Sequence, residues 1–154
     1  MHGGGRILLR SAVPGEAADL AHIHRAARLA AMPWLPVLHT EAEDLAWMTN
    51  VVLAKQQVLV ATRDDVMLGL IAMTKGWVEH LYVAPPFWRS GAGSVLLERA
   101  KELQPDGFAL WTFQRNAMAR AFYRKHGLVE IRTTNGQDNE EKEPDVLLAW
   151  KPAS

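Results

Sequence analysis

The stretch HLYVAPPFWRSGAGSVLLERA, His80 to Ala100, changes character twice. An apolar strand-like run stops at Pro85 and Pro86, because proline cannot donate to a sheet ladder. Arg89-Ser90-Gly91-Ala92-Gly93 follows, and then leucines at helical spacing. Gly91 and Gly93 let the backbone turn tightly and approach a ligand closely. The first N–H groups of the helix have no intrahelical partners, and its dipole is positive at that end. A pyrophosphate fits such an entrance, and Arg89 adds charge. A tight turn that needs small residues explains the same letters. A P-loop is excluded, because no Lys-Ser/Thr follows the glycines, and the third glycine of a dinucleotide-binding fingerprint is missing.

Outward from this stretch the chain reads as β-α-α-β-β-β-α-β-α-β-β. Arg6 to Val13 is a first strand, and Pro14 suits the first turn of a helix. Leu20, Ile23, Ala27 and Ala30 form that helix's inner face. Met32 to Thr40 breaks it with two prolines. Thr40 and Glu43 make a capping box for a second helix, with Leu45, Met48 and Val52 as its stripe. Gln57 to Thr74 is a hairpin turning at Asp64-Asp65, and Trp77 to Val83 is the next strand. A helix from Gly93 turns Leu96, Leu97, Ala100 and Leu103 inward. Phe108 to Phe113 is a central strand. Asn116 caps a helix that ends at Gly127. Leu128 to Thr134 and Asp145 to Lys151 close the fold as an antiparallel pair around a polar loop. Hairpin strands followed by a strand–helix–strand unit argue for a mixed sheet with helices on its faces.

The 154 residues suit one domain, 1–154, and 49% of them are hydrophobic. With 17 basic and 17 acidic residues the chain lacks the positive excess of a nucleic-acid binder. No run approaches the roughly 18 apolar residues of a membrane helix. The absence of cysteine excludes disulfides, a cysteine nucleophile and thiolate metal sites, and fits a cytoplasmic location. Gly3 to Gly5 reads as a flexible leader. His22 and His24 lack the same-face spacing of metal ligands on a helix, so they read as structural and no metal is expected.

A second stretch, LWTFQRNAMARAFYRKHGL (Leu110 to Leu128), follows a strand with the pattern N-x-x-A-x-x-F-Y-x-x-x-G-L. Together with Leu81-Tyr82-Val83 and the loop ending Gly91-Ala92-Gly93, it resembles the GNAT family of acetyl-CoA-dependent N-acetyltransferases. The resemblance implies an α+β fold: a mixed, mostly antiparallel sheet of about seven strands flanked by four helices. It implies acetyl transfer from acetyl-CoA to a primary amine of a small molecule or peptide by direct attack in a ternary complex. The alternative is a CoA-binding regulatory module with weak or no catalysis. A homodimer is common in the family. No nucleic acid, membrane or metal enters this reading.

The resemblance also distributes roles. Tyr123 lies beside the CoA sulfur as proton donor. The backbone of Leu81, Tyr82 and Val83 pairs with the pantetheine, with the Val83 N–H as oxyanion donor. Arg89, Ser90 and the N–H groups of Gly91, Ala92, Gly93 and Ser94 hold the pyrophosphate. Asn116 and Phe122 complete the cofactor site, with Arg124 or Lys125 in reach of the 3′-phosphate. Two positions depart from the pattern. Trp88 stands where the family has Arg or Gln, and Trp77 where a glutamate base is common. Glu79 acting through a water is then the first candidate base and His80 the second, on the opposite strand face unless a bulge intervenes. Trp34, Leu35 and His39 are the acceptor-site candidates, with the acidic loop around Glu140, Glu141, Glu143 and Asp145 as an attractor for a cationic amine.

Overall fold

The computed structural model describes residues 5–152, so Gly3 and Gly4 of the expected leader lie outside it. Strand β1 (Leu8–Ser11) leads through a 3-10 turn (Pro14–Glu16) into α1 (Ala17–Ala31). Helix α2 (Glu41–Trp47) runs on through a π turn (Met48–Val52) into α3 (Leu53–Lys55), so that the three form one rod. Strands β2 (Gln57–Arg63), β3 (Val66–Thr74) and β4 (Trp77–Val83) follow. A 3-10 turn (Pro85–Phe87) then precedes α4 (Ala92–Leu103) and β5 (Phe108–Phe113). Helix α5 (Ala117–Lys125) and strands β6 (Val129–Thr134) and β7 (Asp145–Trp150) complete the chain. The seven strands lie in the order β1-β2-β3-β4-β5-β7-β6. All neighbours are antiparallel except β4 and β5. This is the expected α+β mixed sheet with four flanking helices, the rod counting as one.

Local chemistry accounts for the joints. Asp64 and Asp65 both adopt positive φ, 52° and 65°, as a tight two-residue hairpin between twisted strands requires. The Glu43 backbone N–H donates to Thr40 Oγ1 (3.1 Å) and the Thr40 N–H to the Glu43 carboxylate (2.8 Å), completing the capping box. Against one sheet face, Leu96, Leu97 and Ala100 of α4 pack with Ile71, Met73, Leu110 and Leu148. Against the other, Leu20 and Ile23 of α1 and Met48 and Val52 of the rod pack with Val60 and Leu70.

The inner stripes differ from the apolar spacing in places. Ala30, Leu45 and Leu103 are exposed, while His24 and Asp44 are buried. Asp44 turns inward because its carboxylate accepts from Arg25 Nη1 at 2.8 Å, tying α1 to α2; burial of a charge needs such a partner.

Strand β4 carries a bulge. Ala72 pairs with His80, but the next residue, Met73, pairs with Val78, so Glu79 is the extra residue. The bulge resets the alternation. Val78, Leu81 and Val83 join the α4 side, and Tyr82 joins the α1 side, as does His80, whose ring meets those of Trp47 and His24.

The cap of α2 positions Trp47 in that cluster. Thr40→Ala should cost about 1 kcal/mol and lower the melting temperature by about 2–4 °C. An unchanged melting curve would mean that α2 is held by packing alone.

Candidate active site

Strands β4 and β5 pair at one position, Trp77 with Ala109, and then part. The Ala84 N–H donates to Leu68 O (2.8 Å) across to β3. Alternation along the strand therefore aims the peptide groups of His80 and Tyr82 at β3, and those of Leu81 and Val83 away from it. With β5 diverging, the Leu81 and Val83 N–H groups face a cleft of about 840 Å³. The Val83 carbonyl is already taken, since Trp88 Nε1 donates to it at 2.8 Å. Trp88, at the family's Arg/Gln position, thus clamps the loop to the strand edge and contributes no charge.

The loop entering α4 forms one end of the cleft. Arg89 and Gly91 both take positive φ, 67° and 94°, a backbone that gathers successive N–H groups around one point. Ser90 Oγ accepts from the Ala92 N–H (3.2 Å). The N–H groups of Gly91, Gly93 and Ser94 have no partner among the described residues. The Ser94 hydroxyl is occupied: His126 Nε2 is 3.0 Å away and His126 Nδ1 is 3.1 Å from a Glu98 carboxylate oxygen. A neutral imidazole that donates to Glu98 accepts from Ser94. A Cβ at Gly93 would sit 3.4 Å from the Phe122 ring, so the glycine keeps this wall open.

Helix α5 forms the opposite wall with Asn116, Ala119, Phe122, Tyr123 and Lys125. Asn116 Oδ1 accepts from the Ala119 N–H (3.1 Å) and caps the helix. Arg124 is turned to Glu130, 3.6 Å away. The Tyr123 hydroxyl makes no hydrogen bond to any described residue. Burial first, and then the nearby Tyr82, push its pKa well above the usual phenol range. Tyr82 is also raised, mainly by burial. Both groups stay protonated at neutral pH.

The cleft passes through the gap between β4 and β5 to the α1 side, where Ala27, Ala31, Met32, His80, Tyr82, Trp111 and Phe113 line it. His80 packs edge-on to Trp47 (4.9 Å) and parallel to Tyr82 (6.0 Å). Burial, helped by the Arg28 charge, lowers its pKa from 6.5 to about 4. His24, between Trp47 and Tyr82 at 4.8 Å from each, is lowered to about 3, mainly by burial. Glu79 also lines the cleft, but it is exposed and accepts from the Thr74 hydroxyl at 2.8 Å.

The expected acceptor residues lie behind this surface rather than on it. Leu35 and His39 line a separate pocket of about 50 Å³ beneath α1. Trp34 packs edge-on to Phe113 at 6.3 Å, and the Arg115 guanidinium lies over the Trp34 ring at 4.0 Å. The acidic loop is committed to side chains of the protein itself: Glu140 to His39, Glu141 to Arg28 (3.0 Å) and Glu143 to Arg115 (3.0 Å). Asp145 accepts from Thr134 and Asn139. Among the described residues no group of three or more His, Cys, Asp or Glu side chains gathers as a metal would require. No helix among them is long and apolar enough to cross a membrane.

The family model described as Acetyltransferase (GNAT) domain matches residues 54–130, from the end of the α2–α3 rod to β6. The chain belongs to the GNAT acetyltransferase family. Solved structures share its fold. The GCN5-related N-acetyltransferase from Rhodopseudomonas palustris has a TM-score of 0.82 at 20% identity, covering 99% of this chain and 100% of that one. The PaiA N-acetyltransferase from Thermoplasma acidophilum, in complex with coenzyme A, has a TM-score of 0.71 at 16% identity, with 96% and 99% covered. YncA from Salmonella typhimurium, with acetyl-CoA, has a TM-score of 0.71 at 19% identity, with 97% and 95% covered. No curated protein matches the sequence.

Within this GNAT chain, Trp111 and Phe113 line the α1 side of the cleft and Trp47 packs on His80, none of them singled out from the sequence. Their types and spacing are those of ordinary core and surface positions, and only the tertiary fold assembles them.

The two neutral histidines make stability pH-dependent. The unfolded chain takes up their protons below about pH 6.5, whereas the folded chain resists until about 4 for His80 and about 3 for His24. Their contribution is therefore intact above pH 6.5 and lost as the pH falls, by on the order of a few kcal/mol in total. The melting temperature should drop between pH 7 and 5, and His80→Gln should flatten that slope. Equal slopes for the two proteins would contradict the burial of a neutral His80.

Proposed function

We propose that the protein transfers the acetyl group of acetyl-CoA to the primary amine of a small molecule or peptide by direct attack within a ternary complex. The observation that carries this reading is the run of unpaired N–H groups, from Leu81 and Val83 in the gap to Gly91, Gly93 and Ser94 at the entrance of α4. A pantetheine amide fits the first pair and a pyrophosphate the second set. The coenzyme A and acetyl-CoA held by the Thermoplasma and Salmonella structures support it.

Bound in this cleft, acetyl-CoA supplies an activated thioester carbonyl. The Val83 N–H donates to its oxygen as negative charge develops. Trp88 keeps the Val83 carbonyl engaged, so the residue presents only its donor to the gap. Glu79, which lines the cleft at the bulge, is the first candidate to take the proton of the incoming ammonium, through a water; His80, which lines the α1 side of the cleft and has no protein hydrogen-bond partner among the described residues, is the second. Tyr123 donates its proton to the departing sulfur and recovers one from the nitrogen, which sheds it as the amide forms. Arg89 and Ser90 frame the phosphate cradle, and Asn116 and Phe122 border the pantetheine channel.

Calorimetric titration with acetyl-CoA should show binding, and at least one amine in a broad panel should be acetylated. Binding without turnover of any amine would favour the regulatory CoA-binding module instead. Tyr123→Phe should lower kcat by about 10-fold or more while CoA still binds, and an unchanged kcat would remove its role. Gly91→Val should abolish CoA binding, because a β-branched residue cannot hold φ of 94°. CoA binding at wild-type strength would overturn the phosphate cradle.

A further inference from the structure

We infer that the amine acceptor is a monoamine carried on a flat aromatic body, an arylalkylamine, and not a polyamine or a basic peptide. The inference rests on the acetyl-transfer reading above and names the substrate class of that same site.

The walls on the α1 side of the cleft are apolar or aromatic. Ala27 and Ala31, one helical turn apart, present only methyl groups from α1. Trp111 and Phe113 of β5 line the same cleft. Trp111 is 41% exposed, a large apolar surface left uncovered inside a cleft that also holds the candidate base. Small side chains and broad rings together leave a slot suited to a planar group.

The wall is built before any ligand arrives. Phe113 is braced by Trp34, Trp34 by the stacked Arg115, and Arg115 by two hydrogen bonds of 3.0 Å to Glu143 from the β6–β7 loop. A surface that needs no ordering on binding favours a rigid apolar partner.

The charges point the same way. Polycation sites need several free carboxylates, yet Glu141 and Glu143 are each held by an arginine of the protein itself and Glu140 is engaged by His39. The carboxylate that lines the cleft is Glu79. The other charged side chains that line the cleft are positive, Arg89 and Lys125, and Arg132 lies 5.4 Å from the Trp111 ring centre. One ammonium beside His80 and Glu79 is accommodated, whereas further positive charges would be desolvated next to arginines.

The test compares kcat/KM for 2-phenylethylamine, n-butylamine, spermidine and a lysine-rich peptide, each with acetyl-CoA. The expected result is a preference of about 10-fold or more for 2-phenylethylamine over every other acceptor. Trp111→Ala should reduce the ratio of 2-phenylethylamine to n-butylamine, a readout that general loss of stability leaves unmoved. Equal or better acetylation of spermidine or the peptide would overturn the substrate class while leaving acetyl transfer standing. An unchanged ratio in Trp111→Ala would overturn the aromatic wall. No turnover of any amine would overturn the acetyl-transfer reading, and this inference with it.

Discussion

Two parallel strands that begin a pairing and then abandon it set the character of this structure. β4 and β5 share one register position, Trp77 with Ala109, before they diverge. A sheet interior does not leave peptide groups unpaired without a use for them, because each buried N–H or C=O without a partner is costly. Here the gap opens into a cleft, so the Leu81 and Val83 groups meet solvent or a ligand instead of another strand. The rest of the fold holds the gap open. α4 packs across β2, β3 and β4 on one side, α5 walls the other with Phe122 and Tyr123, and β7 pairs with the far edge of β5 along its whole length.

The α1 side of the gap carries a different constraint. Two imidazoles, an indole and a phenol crowd together between α1, the α2 rod and β4. Arg28 adds a positive charge nearby, which makes protonation of either histidine still less favourable. The protein keeps both rings neutral by burying them and loses acid stability as a result.

Much of the local structure was legible in the sequence. Trp77 to Val83 and Phe108 to Phe113 are strands as read, and Thr40 and Glu43 form the expected box. Gly127 takes the left-handed cap at the end of α5. These features depend on neighbours in the chain. The order of strands does not, so the insertion of β7 between β5 and β6 was not visible. Nor was the bulge at Glu79, because one extra residue in a strand leaves no mark in an apolar pattern. Nor was the burial of Asp44, since burial of a charge depends on a distant partner, here Arg25; His24, read as structural, is buried.

The site divides along the same line. Gly91, Gly93, Asn116, Phe122 and Tyr123 were found through two spaced motifs, and the fold brings them to one cleft with Leu81 and Val83. The α1 side of the cleft has no motif. Trp34 and His39 brace or border other surfaces, while Trp111 and Phe113 had been read only as a central strand. Amide hydrogen exchange with and without acetyl-CoA tests the central claim most directly. The account predicts fast exchange at Leu81 and Val83 in the free protein and clear protection when acetyl-CoA is added, with Tyr82 protected in both states by its bond to β3. Slow exchange at Leu81 and Val83 in the free protein, or no protection on adding acetyl-CoA, would contradict it.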